Sequence, residues 1–155
     1  MKKTFFVILF LLCALCAFAQ EKKMATGLGL EWNMNSRHNF AGGTILSFDY
    51  NLPGYFAAVG FTVGGSSNFS GFEVLEPAVL LRYYILNDGY SGFFTQLDAG
   101  TFIIFEDGED TEYRPLLGIR GGYRLLLDSP FYIEPFGRLG IPFAFGVGAV
   151  AGIRF

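Results

Sequence analysis

Hydrophobic and polar residues alternate with a period of two through most of the chain after residue 20. Such alternation is typical of β-strands with two different faces, because successive side chains point to opposite sides of a sheet. Short clusters rich in Gly, Pro, Asn, Asp and Ser separate the alternating segments and predict turns. The pattern therefore predicts an all-β domain of eight strands, at about residues 25–33, 42–51, 56–65, 73–85, 92–105, 114–126, 131–141 and 144–155.

The two faces of these predicted strands differ sharply in composition. One face is an almost continuous apolar band, whereas the other is rich in glycine and carries ten charges. These charges are Glu31, Asp49, Glu76, Asp98 and Glu134, with Arg82, Arg120, Arg124, Arg138 and Arg154. A soluble barrel or sandwich would turn the apolar face inward. A transmembrane barrel would turn it toward lipid and the charges into the lumen.

Three features favour the membrane barrel. Glycine on the polar face suits the narrow bore of an eight-stranded barrel. Large aromatic residues on the apolar face lie near strand ends, as in the two aromatic girdles of outer-membrane barrels. The last residue is itself aromatic. The predicted girdle residues are Tyr50, Tyr83, Phe93, Tyr123, Phe131 and Phe155 toward one rim, and Trp32, Phe105 and Phe145 toward the other.

The first 19 residues resemble a secretory signal peptide. Lys2 and Lys3 precede an uncharged apolar run from Phe5 to Ala19, which is shorter than the roughly 20 residues of a membrane-spanning helix. The run ends in a small-x-small pattern that predicts cleavage before Gln20. We expect residues 1–19 to be removed and residues 20–155 to form one barrel domain. The alternative is an uncleaved helical anchor.

Both cysteines, Cys13 and Cys16, fall in the predicted signal peptide. The mature domain therefore lacks disulfides, zinc–thiolate sites and cysteine nucleophiles. Without Lys2 and Lys3 the 11 basic residues become 9 against 14 acidic residues, a net charge of −5. Because no basic run occurs, we do not expect nucleic acid as a partner.

Three segments resemble the small eight-stranded outer-membrane barrels of the OmpA/OmpX type, and most of all the compact outer-membrane β-barrel domain group. They are Leu81-Arg82-Tyr83-Tyr84, Gly118-Ile119-Arg120-Gly121-Gly122-Tyr123 and Ala151-Gly152-Ile153-Arg154-Phe155. The resemblance implies an antiparallel up-and-down barrel in the outer membrane of a diderm bacterium. It also implies that Phe155 is part of a C-terminal signal recognised by the barrel-assembly machinery.

Two prolines depart from the pattern of a fully paired barrel. Pro77 and Pro135 lie inside predicted strands, and proline cannot donate a hydrogen bond to a neighbouring strand. We expect a β-bulge at each of these positions.

Candidate chemistry is sparse. His38, the only histidine, lies in a predicted outer loop and could act with Ser66, Ser67 or Ser70. This combination is similar to the histidine and serine of barrel enzymes that modify lipid A. A nucleophile and its base must lie within hydrogen-bond reach, and no local motif places them so. The loop from Glu106 to Glu112 holds five carboxylates, which could bind Ca²⁺ but lack the spacing of an EF-hand.

The ten charges of the polar face have two interpretations. Buried acids and arginines are tolerated when they pair, and arginine suits bidentate pairing, so the charges would plug the lumen. The alternative is a narrow pore for small solutes. We expect a monomeric, non-enzymatic envelope or surface-interaction protein without a cofactor or metal. Its expected partners are outer-membrane lipids, the barrel-assembly machinery and a surface ligand that the sequence does not identify.

Overall fold

The computed structural model describes residues 23–35, 39–68, 72–85, 91–106, 110–128 and 130–155. These residues form an antiparallel barrel in which each strand pairs with the next and the last pairs with the first. The strands are β1 (Met24–Asn35), β2 (Asn39–Asn51), β3 (Ala57–Ser67), β4 (Phe72–Ile85), β5 (Gly92–Glu106), β6 (Glu112–Leu126), β7 (Phe131–Ile141) and β8 (Phe145–Arg154). The predicted all-β, eight-stranded fold is confirmed.

Several predicted features fall outside the described residues. They include the signal peptide at residues 1–19, His38, Ser70, the turn at residues 87–89 and residues 107–109 of the acidic loop. Within the described ranges, no helix is both long and apolar enough to span a lipid bilayer.

Closure of the barrel is visible in the pairing of β1 with β8, which runs from Ala25 opposite Arg154 to Met34 opposite Phe145. Following paired residues once around the wall from Met24 leads back to β1 at Met34, ten residues further along. With a rise of about 3.3 Å per residue and about 4.8 Å between strands, this stagger corresponds to a strand tilt of about 40°.

The two ends of the barrel are called proximal and distal below. The proximal end holds Met24 and Phe155, whose backbone N–H groups each donate to the other's carbonyl oxygen at 2.9 Å. It also holds the turn between β2 and β3, where Tyr55 N donates to Leu52 O at 3.1 Å. Pro53 and Gly54 occupy the centre of this turn, and Gly54 has a φ of 78°. Proline followed by a residue of positive φ is the signature of a type II turn.

The alternation of side chains along each strand follows the predicted phase. The described residues with buried charged side chains are Glu31, Asp49, Glu76, Arg82, Asp98, Arg120, Arg124, Glu134 and Arg138. Large apolar side chains such as Leu30, Val79 and Leu139 are 60–70% exposed on the outer wall. The fold is therefore polar inside and apolar outside.

The expectation of β-bulges at the two prolines is wrong. On either side of Pro77, Leu75 pairs with Ile103 and Ala78 pairs with Gly100, so two residues lie between the two pairs on both strands. The same holds around Pro135, where Gly122 pairs with Phe136 and Leu125 with Ile133. A bulge needs an extra residue on one strand. At each proline, the strand loses its pairing with one neighbouring strand. Its pairing with the other neighbouring strand continues in register through the proline.

Candidate functional site in the barrel lumen

The proximal half of the lumen contains a network of two arginines and their acceptors. Arg124 bonds to Asp49 Oδ2 through Nη2 and to Glu134 Oε2 through Nε, both at 2.7 Å. Arg82 bonds to both oxygens of Glu134, at 2.8 and 2.9 Å. Its Nε and Nη2 donate to Gln96 Oε1 at 2.9 and 2.6 Å. Every side chain of this network is almost completely buried.

Aromatic rings fill the space beside these guanidinium groups. Arg82 lies over Phe94, with its Cζ 4.2 Å from the ring centre. Arg124 lies over Tyr132 at 4.4 Å, and Tyr84 is near both arginines. Such cation–π contacts are strongest when they are desolvated. The rings thus help to compensate the two guanidinium groups for the loss of water.

Glycines on the lumen face make room for these rings. A Cβ at Gly122 would lie 2.6 Å from Cζ of Phe94, and a Cβ at Gly148 would lie 2.6 Å from Cζ of Phe136. Contacts this short are incompatible with a side chain, so each glycine is paired with a large ring across or along the wall. The glycine-rich inner face is therefore a packing requirement of the narrow bore.

A second network occupies the middle and distal parts of the lumen. Arg120 Nε bonds to Asp98 Oδ2 at 2.8 Å, and Gln96 Nε2 donates to the other oxygen of Asp98 at 2.6 Å. Gln96 thereby connects the proximal and middle groups. Further along, Arg138 bonds to Glu76 at 2.6 Å and to Glu31 at 3.4 Å.

The distal end of the lumen is closed by apolar side chains. The buried members of this distal cap are Ala41, Val74, Ala78, Phe102, Leu116 and Phe143, with Ile104 packed against them. Phe143, from the connection between β7 and β8, has no exposed surface. The charged networks are therefore separated from the distal solvent by an apolar layer.

Arg154 and the predicted girdle residues lie on the faces that the alternation along their strands assigns to them. Arg154 is partly exposed at the proximal mouth. Tyr50, Tyr83, Phe93, Tyr123 and Phe131 lie on the outer wall toward the proximal end, and the rings of Phe93 and Tyr123 meet edge to face at 4.8 Å. Trp32 lies toward the distal end beside Phe40, with ring centres 6.3 Å apart.

The candidate catalytic serine Ser66 points into the lumen. Its hydroxyl accepts from Asn33 Nδ2 at 3.0 Å and donates to Glu31 Oε1 at 3.3 Å. The described residues include no histidine, because His38 lies outside them. They also contain no group of three His, Cys, Asp or Glu side chains placed to hold a metal ion. In the acidic segment, Glu112 is paired with Arg114 at 2.5 Å.

Sequence reasoning overlooked part of the lumen. Asn33, Tyr84, Phe94 and Tyr132 all share the inner phase with the charged residues, so the alternation could have identified them. Phe143 follows the end of β7, outside any alternating segment, and gave no such signal.

Several solved structures have a similar fold, among them the following three. Neisserial surface protein A is 11% identical, with a TM-score of 0.61 over 85% of this chain and 96% of its own. The N-terminal β-barrel domain of OprF from Pseudomonas aeruginosa is 12% identical, with a TM-score of 0.57 over 85% and 96%. A de novo designed transmembrane β-barrel is 12% identical, with a TM-score of 0.54 over 89% and 100%. The chain thus shares the fold of small outer-membrane barrels.

No protein-family profile matches the sequence. None of the curated proteins shows significant sequence similarity to it.

Proposed function

We propose that this protein is a monomeric, integral outer-membrane barrel of a diderm bacterium, without enzymatic activity and with a lumen closed by its own side chains. Its role would be structural support of the envelope or interaction at the cell surface. Outer-membrane lipids would surround it, and the barrel-assembly machinery would recognise β8 together with Phe155, the residue that follows it.

The observation that carries the membrane placement is the inverted distribution of polarity. Among the described residues, nine charged side chains are buried while large apolar side chains cover the outer wall. Soluble monomers rarely expose a contiguous apolar patch larger than a few hundred Å², and this apolar surface surrounds the barrel. A closed barrel also leaves no unpaired strand edge, which hydrocarbon would penalise strongly.

A closed lumen is supported by the tight packing of both networks and of the distal cap. Arg82, Asp98 and Arg138 are each 2–3% exposed, so these charged groups have almost no contact with water in the bore. The packing therefore argues against the alternative of a small-solute pore. Surface interaction would use the distal rim, where Glu73, Glu106 and Asp110 are exposed.

Conductance tests the closed lumen. In planar bilayers the purified barrel should insert without discrete current steps, because its paired charges fill the bore. A wide porin added to the same membranes serves as the positive control for insertion. Reproducible single-channel steps from the barrel would contradict the proposal and support the pore.

Sidedness is tested by cysteine labelling. Residues 20–155 contain no cysteine, so single replacements Ser67→Cys and Asp110→Cys provide unique sites at the distal end. On intact cells, an impermeant thiol reagent should label both, because we propose that the distal end faces outward. Asp128→Cys, at the proximal end, is the matched control and should react only after the outer membrane is permeabilised. Labelling confined to Asp128→Cys would mean that the orientation is inverted.

A further inference from the structure

Five polar side chains form a sealed cluster beneath the distal cap: Glu31, Asn33, Ser66, Glu76 and Arg138. Each is at most 5% exposed. Asn33 Nδ2 donates to Glu31 Oε1 at 2.8 Å and to Ser66 Oγ at 3.0 Å. Arg138 joins the two glutamates, donating to Glu76 Oε2 at 2.6 Å and to Glu31 Oε1 at 3.4 Å.

The hydrogen bonds of this cluster are unevenly distributed. Glu31 Oε1 has three donors, whereas Glu31 Oε2, Glu76 Oε1 and Asn33 Oδ1 have no hydrogen-bond partner within the described part of the chain. All three atoms are acceptors on almost fully buried side chains. Buried acceptors without partners are rare in folded proteins, and all three of these lie on side chains joined by one set of hydrogen bonds.

The Asn33 side chain can take this position because its paired residue on β8, Gly146, has no side chain. A Cβ at Gly146 would collide with Asn33 Oδ1 and would lie 2.9 Å from Cγ of Arg138. Glycine at position 146 therefore allows the amide oxygen to lie beside the arginine stem. The amide nitrogen is held by Glu31 and Ser66, and the amide oxygen faces Gly146.

The formal charge of the cluster is also unbalanced. The cluster has two carboxylates and one guanidinium group, a formal charge of −1. The next arginine, Arg120, is already bonded to Asp98 at 2.8 Å, and the remaining lumen arginines lie toward the proximal end. A buried charge without compensation is strongly unfavourable.

We propose that Glu31, Asn33 and Glu76 bind one small monovalent cation, of the size and hardness of sodium, in the distal half of the lumen. Carboxylate and amide oxygens are suitable ligands for hard cations. One positive charge neutralises the cluster, whereas a divalent ion would leave an excess positive charge. Because the distal cap covers the site, the cation would be enclosed as the barrel closes, and its binding would be coupled to folding.

The experiment compares refolding of the barrel from urea into detergent micelles in sodium chloride and in N-methyl-glucamine chloride, at equal ionic strength and pH 8. The wild-type urea midpoint should be higher in sodium and should rise further as sodium replaces the bulky cation. Glu76→Gln removes the excess negative charge and one ligand, and its midpoint should be the same in both salts. Glu73→Gln is the matched control, because Glu73 lies on the same strand with its side chain exposed. It should keep the sodium dependence.

Asn33→Ala provides a second test in case Glu76→Gln does not fold. It keeps both carboxylates but removes a ligand oxygen, so a higher sodium concentration should be needed for the same midpoint. A wild-type midpoint that is equal in both salts overturns the proposal. A midpoint that falls with rising pH in both salts equally overturns it in favour of a proton shared by the carboxylates, and a response to calcium alone overturns the monovalent assignment.

Discussion

Replacing Arg124 with leucine is expected to lower the free energy of unfolding by about 3–5 kcal/mol, the usual loss when one member of a buried ion pair is removed. Arg124 has a fully buried side chain and bonds to both Asp49 and Glu134 at 2.7 Å. Leucine would remove both of these short bonds and leave Asp49 the longer, 3.5 Å contact to Arg82. It would also remove the cation over the ring of Tyr132.

Leu125→Met is the matched control for this prediction. Leu125 is the next residue on β6, and its side chain is exposed on the outer wall. A similar apolar side chain of similar volume typically changes stability by less than about 1.5 kcal/mol even when buried. Urea midpoints of both variants in the same detergent give the comparison. Equal losses would show that the inner and outer faces are wrongly assigned.

Leu97→Arg is expected to destabilise the barrel in a bilayer by about 2–4 kcal/mol, the range found for arginine on the lipid face near mid-membrane. Leu97 is half exposed on the outer wall. The paired residues that lead around the wall from Met24 at the proximal end to Met34 near the distal end pass through Leu97 at their midpoint. Leu97 therefore lies about halfway between the two ends of the barrel. Its paired neighbours Leu81 and Ile119 are also apolar and exposed, so no nearby acid would compensate the charge.

Tyr113→Arg provides the control at a different depth. Tyr113 is the second residue of β6, 68% exposed at the distal rim. An arginine near the membrane interface should change stability by about 0–1 kcal/mol. Equilibrium unfolding from lipid vesicles measures both variants. If Leu97→Arg is tolerated as well as Tyr113→Arg, the outer wall does not lie in hydrocarbon.

The strands and their facing could be predicted because both depend on local, period-two information. In β6, for example, Arg120 and Arg124 fall on one face and Ile119 and Leu125 on the other, which is visible in the sequence itself. In a barrel surrounded by lipid, the charged face must point into the lumen. The pairing of β1 with β8 has a physical reason of the same kind, because a closed barrel avoids an unpaired edge in lipid.

The partners inside the lumen could not be predicted in the same way. Arg124 meets Asp49, 75 residues away, and Arg138 meets Glu31, 107 residues away. These contacts depend on strand tilt and register, which alternation does not encode. The error at Pro77 and Pro135 has a related cause. A strand between two neighbours can lose pairing on one side and stay in register through the other.

The most direct test of the membrane placement uses Trp32, the only tryptophan of the chain. Its side chain is 55% exposed on the outer wall toward the distal end. In vesicles of brominated lipids, its fluorescence should be quenched most by bromines close to the headgroups. In a Trp32→Phe background, the fluorescence of Leu97→Trp should be quenched most by bromines deep in the acyl chains. The predicted result is that the bromine depth of strongest quenching is greater for Leu97→Trp than for Trp32. Fluorescence that brominated lipids leave unchanged at both sites would contradict a barrel whose apolar wall faces the bilayer.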